Sequence, residues 1–192
     1  EISGNHNSNL QDALDLIYAA KESGADAVKI QTFTPDCLTL QTESDEFLLK
    51  SGPWRGYSLY ELYEKTQTPY EWHERLFDYA ASLNIMLFSS PFSVKSLNFL
   101  QKFKPPAFKI ASNEAHDHKL IEMIGLMGKP VIISTGVSTP DDIRNSIAVI
   151  RATGNENIVI LHCVSQYPTP INEANLATLI DLKSEFDLEV GL

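Results

Sequence analysis

Short apolar runs and amphipathic segments alternate along most of this chain. Leu10, Ala13, Leu14 and Ile17 keep helical spacing, Gly24 offers a stop, and "ADAVKIQTF" then reads as a strand around Lys29. From about residue 85 the rhythm is regular. "NIMLFSSPF", "AFKIAS", "KPVIISTG", "NIVILHCVS" and "LEVGL" read as strands. Between them "SVKSLNFLQKF", "HKLIEMIGLMG", "PDDIRNSIAVIRATG" and "EANLATLIDLKSEF" read as helices. Branched apolar runs alternating with helical periodicity predict a parallel sheet covered by helices.

Capping signals sharpen two helix starts. Thr139 precedes Pro140, Asp141 and Asp142, an N-cap with proline and acidic residues in the first turn. Thr68, Pro69 and Glu71 predict the same kind of start, with a capping box, for "YEWHERLFDYAASL". Residues 33 to 67 interrupt the alternation with an insertion rich in Tyr and Trp. Within it Leu59, Leu62, Tyr63 and Thr66 keep helical spacing. The insertion reads as an amphipathic helix after an extended loop, or as a wall over a site, and the two are compatible.

The ends bear on the architecture. "EISGNHNSN" reads as the mouth of a strand whose body would precede Glu1, and Gly191-Leu192 falls inside a last strand. One further strand on each side would make eight. The expectation is therefore an α/β fold of the (β/α)8 TIM-barrel type, truncated at both ends. An open doubly wound sheet accommodates the same strands, so periodicity leaves both open. With no Pro/Gly/Ser linker and no low-complexity segment, residues 1–192 are expected to form a single, partial barrel domain.

The composition is that of a globular chain, 43% hydrophobic and 21% charged. Its 15 basic and 25 acidic residues leave a net charge of -10, which argues against nucleic acid or an anionic membrane as partner. A few lysines in a cleft still hold a local positive potential. The two cysteines, Cys37 and Cys163, lie far apart, and a reduced cytoplasmic compartment is expected. No apolar run approaches membrane-spanning length.

Polar clusters follow the apolar part of each strand: Lys29-Gln31-Thr32, Ser89-Ser90, Lys109-Ser112-Glu114, Ser134-Thr135-Gly136 and His162-Ser165-Tyr167. In parallel α/β folds the active site lies at the carboxyl ends of the strands. A lysine in a strand otherwise snorkels from an edge, and Ser or Thr there otherwise forms caps and turns. Two lysines at corresponding places in apolar strands, with several hydroxyls, suit a phosphate or carboxylate ligand. Glu114 is a general base or hydroxyl anchor, or else a surface carboxylate. Among the histidines, His6 at a strand-end loop is the functional candidate. His73 reads as a surface or packing residue of a helix, and His116 and His118 as solvated. His162 belongs to the core or the cleft. No pair has metal-ligand spacing, so no metal site is assigned.

"EISGNHN", "GADAVKIQTFTPD", "FSSPF", "PPAFKIAS", "GKPVIISTG", "HCVSQYPTP" and "NLATLIDLKSEF" together resemble the catalytic barrel of the sialic acid synthases from end to end. Trp54 to Trp72 and "FSSPF" resemble the pseudaminic branch most. The resemblance implies a barrel followed by an antifreeze-like domain, which is expected to be absent from residues 1–192, in a homodimer. It implies condensation of phosphoenolpyruvate with an N-acetylated amino-sugar aldehyde, here 2,4-diacetamido-2,4,6-trideoxy-altrose, giving pseudaminic acid and phosphate. Lys29, Ser90, Lys109, Ser112 and Ser165 would hold phosphoenolpyruvate, with Gln31 and Ser134 beside them. Glu1 and Glu114 would be the catalytic carboxylates, Asn5 and His6 the first loop, and Tyr167 the sugar-side wall. A divalent metal (Mn, Mg or Co) is implied, with its histidine ligands outside this chain. If residues 1–192 are the whole polypeptide, metal binding is expected to be lost and activity to be weak or absent.

Ser93 stands where the family has aspartate, and Asn113 where the branch has Phe. Other readings remain: N-acetylneuraminate or legionaminic acid synthesis, a Schiff-base aldolase using Lys109, or an inactive barrel acting as a binding or partner protein.

Overall fold

The helical spacing of Leu10, Ala13, Leu14 and Ile17 is realised in α1 (Leu10–Glu22), with the last three buried. The Asn9 side chain accepts from the Gln11 N–H at its start, and Gly24, at φ +81°, turns the chain beyond its end. The structure, a computed structural model, describes residues 1–192. It is an α/β fold with six parallel strands in sequence order: β1 (Ala27–Thr32), β2 (Met86–Pro91), β3 (Phe108–Ile110), β4 (Val131–Ser134), β5 (Ile158–Leu161) and β6 (Glu189–Gly191). The contacts divide the chain into two compact units, Glu1–Pro106 and Ala107–Leu192. No helix is long and apolar enough to cross a membrane.

In the first unit, β1 and β2 pair with Lys29 opposite Phe88 and Gln31 opposite Ser90. Side chains alternate along a strand, so these four share one face. Val28, Ile30 and Leu87 occupy the other, in a core with Ile17 of α1 and with Leu76 and Ala80 of α3 (His73–Ser82). Removing a side chain such as Leu76 or Ile17 from water contributes roughly 1.5–3 kcal/mol. The Ile2 N–H donates to the Lys29 carbonyl (3.0 Å), which ties the first loop to β1.

Between β1 and β2 the expected capping box is displaced. Pro69 is extended, Tyr70–Trp72 form a 3-10 turn without a side-chain cap, and α3 begins only at His73. Thr68 Oγ1 is buried without a partner instead of capping. A capping box is found earlier, where Ser58 and Glu61 start α2 (Leu59–Thr66). Past β2, Ser93 accepts from the Ser96 N–H and caps α4 (Val94–Leu100).

His73 is a packing residue, as one of the two readings of it expected, and both its ring nitrogens are also engaged. Nδ1 lies 3.1 Å from the Pro69 carbonyl, which only accepts, so Nδ1 carries the proton. Nε2 therefore accepts from Thr32 Oγ1 (2.8 Å), and Thr32 in turn accepts from Ser89 Oγ (2.6 Å). The ring is stacked near Phe103 and meets Phe99 and Tyr70 edge-on. Burial drives its pKa down to about 4, against the backbone carbonyls that pull it upward.

The second unit repeats the two-faced strand. Lys109 pairs with Ile132 and Ser134 with Leu161, so Lys109 and Ser134 share a face with Val159. Phe108, Ile110, Val131, Ile133, Ile158 and Ile160 take the other and are buried. So are Leu120, Ile121 and Ile124 of α5 (His118–Gly125) and Ile143, Ile147 and Ile150 of α6 (Pro140–Ala152). The Thr139–Asp142 capping box and Pro140 start α6 as the sequence predicts. The last expected helix is shorter. Ile171–Glu173 form a 3-10 turn, Asn175 takes a left-handed φ of 46°, and α7 runs only over Thr178–Phe186.

The His73 environment yields a signed pH dependence. Between about pH 4 and the ordinary histidine value of 6.5 the unfolded chain binds the extra proton and the folded chain does not. Stability from this group is thus complete above 6.5 and falls as pH drops toward 4, by at most on the order of 3 kcal/mol. Urea unfolding at pH 7 and pH 4.5 should show a smaller difference for His73→Gln than for the wild type. Equal differences would refute the assignment.

Candidate active site

The polar residues at the strand ends form two groups, one in each unit. In the second unit the middle residue of β3 is Lys109, only 5% exposed. Its Nζ donates to the Ile110 carbonyl (2.8 Å) and to Ser134 Oγ, at the end of β4. Those bonds offset part of the cost of burying an ammonium group. The Cys163 thiol donates to the same Ser134 oxygen (3.2 Å).

Just beyond these strands, the Gly136 N–H donates to Ser112 Oγ (3.3 Å). A Cβ at Gly136 would collide with Ser165 Oγ and lie 2.9 Å from the Cys163 carbonyl and 3.1 Å from Ser112 Oγ. Only glycine leaves room for two hydroxyls around this amide. Ser112, Ser134 and Ser165 therefore offer several hydroxyls close to Gly136, chemistry suited to an anionic oxygen.

Glu114 opens a 3-10 turn, Glu114–His116, after β3. Burial raises its pKa above the usual glutamate value. Its own backbone N–H and the Lys109 charge pull it down, and Asp117 adds to the rise. Its carboxyl is thus closer to exchanging a proton near neutrality than an ordinary glutamate. His162 Nε2 donates to the Ala174 carbonyl (2.8 Å), so this histidine is satisfied by the backbone. Tyr167 is 77% exposed.

In the first unit Lys29 forms an ion pair with Glu1, and Ser3 Oγ donates to Glu1 Oε1 (2.8 Å). Burial opposes ionisation of Glu1, but the Lys29 ammonium and the Ser3 hydroxyl prevail and hold its pKa below the usual range. Gln31 and Ser90 lie opposite each other on the Lys29 face, whereas Ser89 faces the core with Thr32. The strand register thus separates two adjacent serines that the sequence quoted as one cluster.

Two first-loop candidates lie away from that face. His6 is fully buried, edge-on to Trp72 at 5.3 Å, and its Nδ1 accepts from the Ser8 N–H (3.1 Å). Burial lowers its pKa. These contacts hold His6 in the first loop, and its Nε2 is buried without a hydrogen-bond partner. Asn5 donates to the Ile2 carbonyl (2.9 Å) and shapes the same loop. Gly136, read from the sequence only as part of a strand-end cluster, lies against Ser165 and Ser112, and Cys163, read only as a distant cysteine, meets Ser134. Strand alternation was the available signal for Cys163, which has the parity of Leu161 and hence of Ser134. No group of three or more His, Cys, Asp or Glu side chains is placed to hold a metal ion.

A model of the NeuB family matches residues 16–192. Pseudaminic acid synthase of Campylobacter jejuni is 45% identical over 192 residues, all of this chain and 56% of that protein. Pseudaminic acid synthase of Helicobacter pylori is 43% identical over the same span, again 56% of its length. The chain thus spans about half the length of the curated relatives it matches. Among solved structures, N-acetylneuraminic acid (sialic acid) synthetase from Leptospira borgpetersenii superposes with a TM-score of 0.84 at 27% identity. That match covers 97% of this chain and 60% of the other.

Two outcomes follow from the second group. Gly136→Ala should cost about 1–3 kcal/mol in urea unfolding, because the hydroxyls must be displaced to admit the methyl group. An unchanged midpoint would show that the crowding is not real. Lys109→Met should raise the Glu114 midpoint further, since the lysine charge favours the carboxylate. A carboxyl-labelled NMR titration reads this directly, and a lowered midpoint would contradict it.

Proposed function

The chain belongs to the NeuB family, and from that premise we propose that it is the catalytic-barrel portion of a phosphoenolpyruvate-dependent nonulosonic acid synthase. Its amino-sugar aldehyde is 2,4-diacetamido-2,4,6-trideoxy-altrose and its products are pseudaminic acid and phosphate. The observation that carries the reading is the group around Lys109, a buried ammonium beside the Ser134 hydroxyl, with Ser112, Ser165 and the Gly136 amide in the same unit. Identity of 45% to a pseudaminic acid synthase, against 27% to an N-acetylneuraminic acid synthetase, favours the pseudaminic branch.

In this reading C3 of phosphoenolpyruvate attacks the aldehyde carbon and forms the new C–C bond. Water then adds at C2, and the tetrahedral adduct collapses with C–O cleavage, releasing phosphate and the 2-keto acid. Lys29, Ser90, Lys109, Ser112, Ser134 and Ser165 neutralise and orient the phosphate and carboxylate, and stabilise phosphate as it leaves. Gln31 shares the face of Lys29 and Ser90. The two carboxyls differ in environment and therefore in role. Glu114, with its raised pKa, is the group suited to give and recover a proton. Glu1, held ionised by Lys29, is suited to accept from sugar hydroxyls. Tyr167 lines the sugar side. A homodimer in the cytoplasm completes the proposal.

Phosphate release with phosphoenolpyruvate and each candidate aldehyde tests it. Release is expected with the 6-deoxy-altrose derivative, and Glu114→Gln should reduce it by about 10²-fold or more. Release only with N-acetylmannosamine would overturn the branch. Borohydride trapping of pyruvate on Lys109 would replace the condensation with Schiff-base chemistry.

A further inference from the structure

The side chains around Lys109 leave one hydroxyl hydrogen without a protein acceptor. Ser134 Oγ accepts from Lys109 Nζ and from the Cys163 thiol. A serine hydroxyl has two lone pairs and one hydrogen, so both lone pairs are occupied by the protein's own donors. The hydrogen of Ser134 is given to no protein group. At 7% exposure, such a donor carries a cost that an incoming acceptor would remove.

The fold holds this arrangement in place. Ser134 ends β4 opposite Leu161 of β5, and Cys163 follows two residues later with the same parity. The Thr135 N–H and hydroxyl both donate to the Leu161 carbonyl, at 3.0 and 2.9 Å, which pins the two strand ends together. The thiol is therefore kept within reach of Ser134 by backbone geometry.

We infer that Cys163 is a positioning residue. Its thiol, with the Lys109 ammonium, fills the lone pairs of Ser134 and directs the Ser134 O–H toward an anionic oxygen of the ligand. This rests on the functional reading above, under which that oxygen belongs to the phosphate or carboxylate of phosphoenolpyruvate. Without the thiol, one lone pair is released and the hydroxyl can rotate about its Cβ–Oγ bond. Its donor is then no longer preset, and part of the ligand's binding energy goes into orienting it.

Calorimetric titration of phosphoenolpyruvate into the wild type, Cys163→Ala, Cys163→Ser, Ser134→Ala and the Cys163→Ala/Ser134→Ala double variant tests the inference. Cys163→Ala should raise Kd roughly threefold to tenfold, the worth of one hydrogen bond. Cys163→Ser, which keeps a hydroxyl donor, should fall between it and the wild type. On the Ser134→Ala background the cysteine change should alter Kd by less than about 1.5-fold, because its target is gone. A purely packing role would instead lower Tm and change Kd equally on both backgrounds, and that result would overturn the inference. So would an unchanged Kd in Cys163→Ala when the wild type saturates, with the functional reading left standing. A wild type that does not saturate would overturn both.

Discussion

Neighbouring side chains of a parallel strand leave on opposite faces, and in both units this single constraint separates the core from the chemistry. Val28 and Ile30 enter the core while Lys29 and Gln31, between and after them, do not. Phe108 and Ile110 flank Lys109 in the same manner. Adjacent serines 89 and 90 are sorted by it too, one into a buried network and one onto the face of Lys29. The helices cover the apolar face, and what remains at the strand ends is polar and positioned by backbone that is already hydrogen-bonded.

Both lysines are held by polar partners. Lys29 is met by a carboxylate, Glu1, which is itself kept ionised by the contact. Lys109 lies deeper, and a backbone carbonyl and a hydroxyl accept from it. The carboxyls near them also differ in environment. Burial dominates at Glu114 and raises its pKa, whereas at Glu1 the opposite charge wins. Two glutamates of equal intrinsic acidity thus acquire distinct chemistry from their surroundings.

Hydroxyl direction separates two further networks. On the core side, the Pro69 carbonyl fixes the His73 tautomer, His73 fixes the Thr32 proton, and Thr32 fixes that of Ser89. Every donor in that series finds an acceptor inside the protein, as a structural network requires. Around Ser134 the donors of Lys109 and Cys163 converge on one oxygen and leave its own hydrogen over. In the reading proposed above, that spare hydrogen is the one an anionic ligand oxygen would accept.

The strand and helix order was legible in the sequence because apolar periodicity is a local property. Six runs marked as strands are strands, and Thr139, Pro140 and Asp142 specify a helix start by bonds within four residues. Lys29, Lys109 and the strand-end hydroxyls stood out for the same reason: charge or polarity inside an apolar run is visible without coordinates. Family membership was legible too, since its motifs are contiguous. Tertiary structure decided whatever depends on partners remote in the chain. Thr68 looked like a cap, but the extended Pro69 delays the helix to His73. The sequence placed His6 in a strand-end loop but not beneath Trp72, and His73 in a helix but not bonded to Thr32, 41 residues away. Cys163 acquires meaning only from Ser134, 29 residues earlier. Sequence reports which residues can donate, accept or carry charge; only packing decides which of them meet, and hence which bonds are satisfied and which donor is left free.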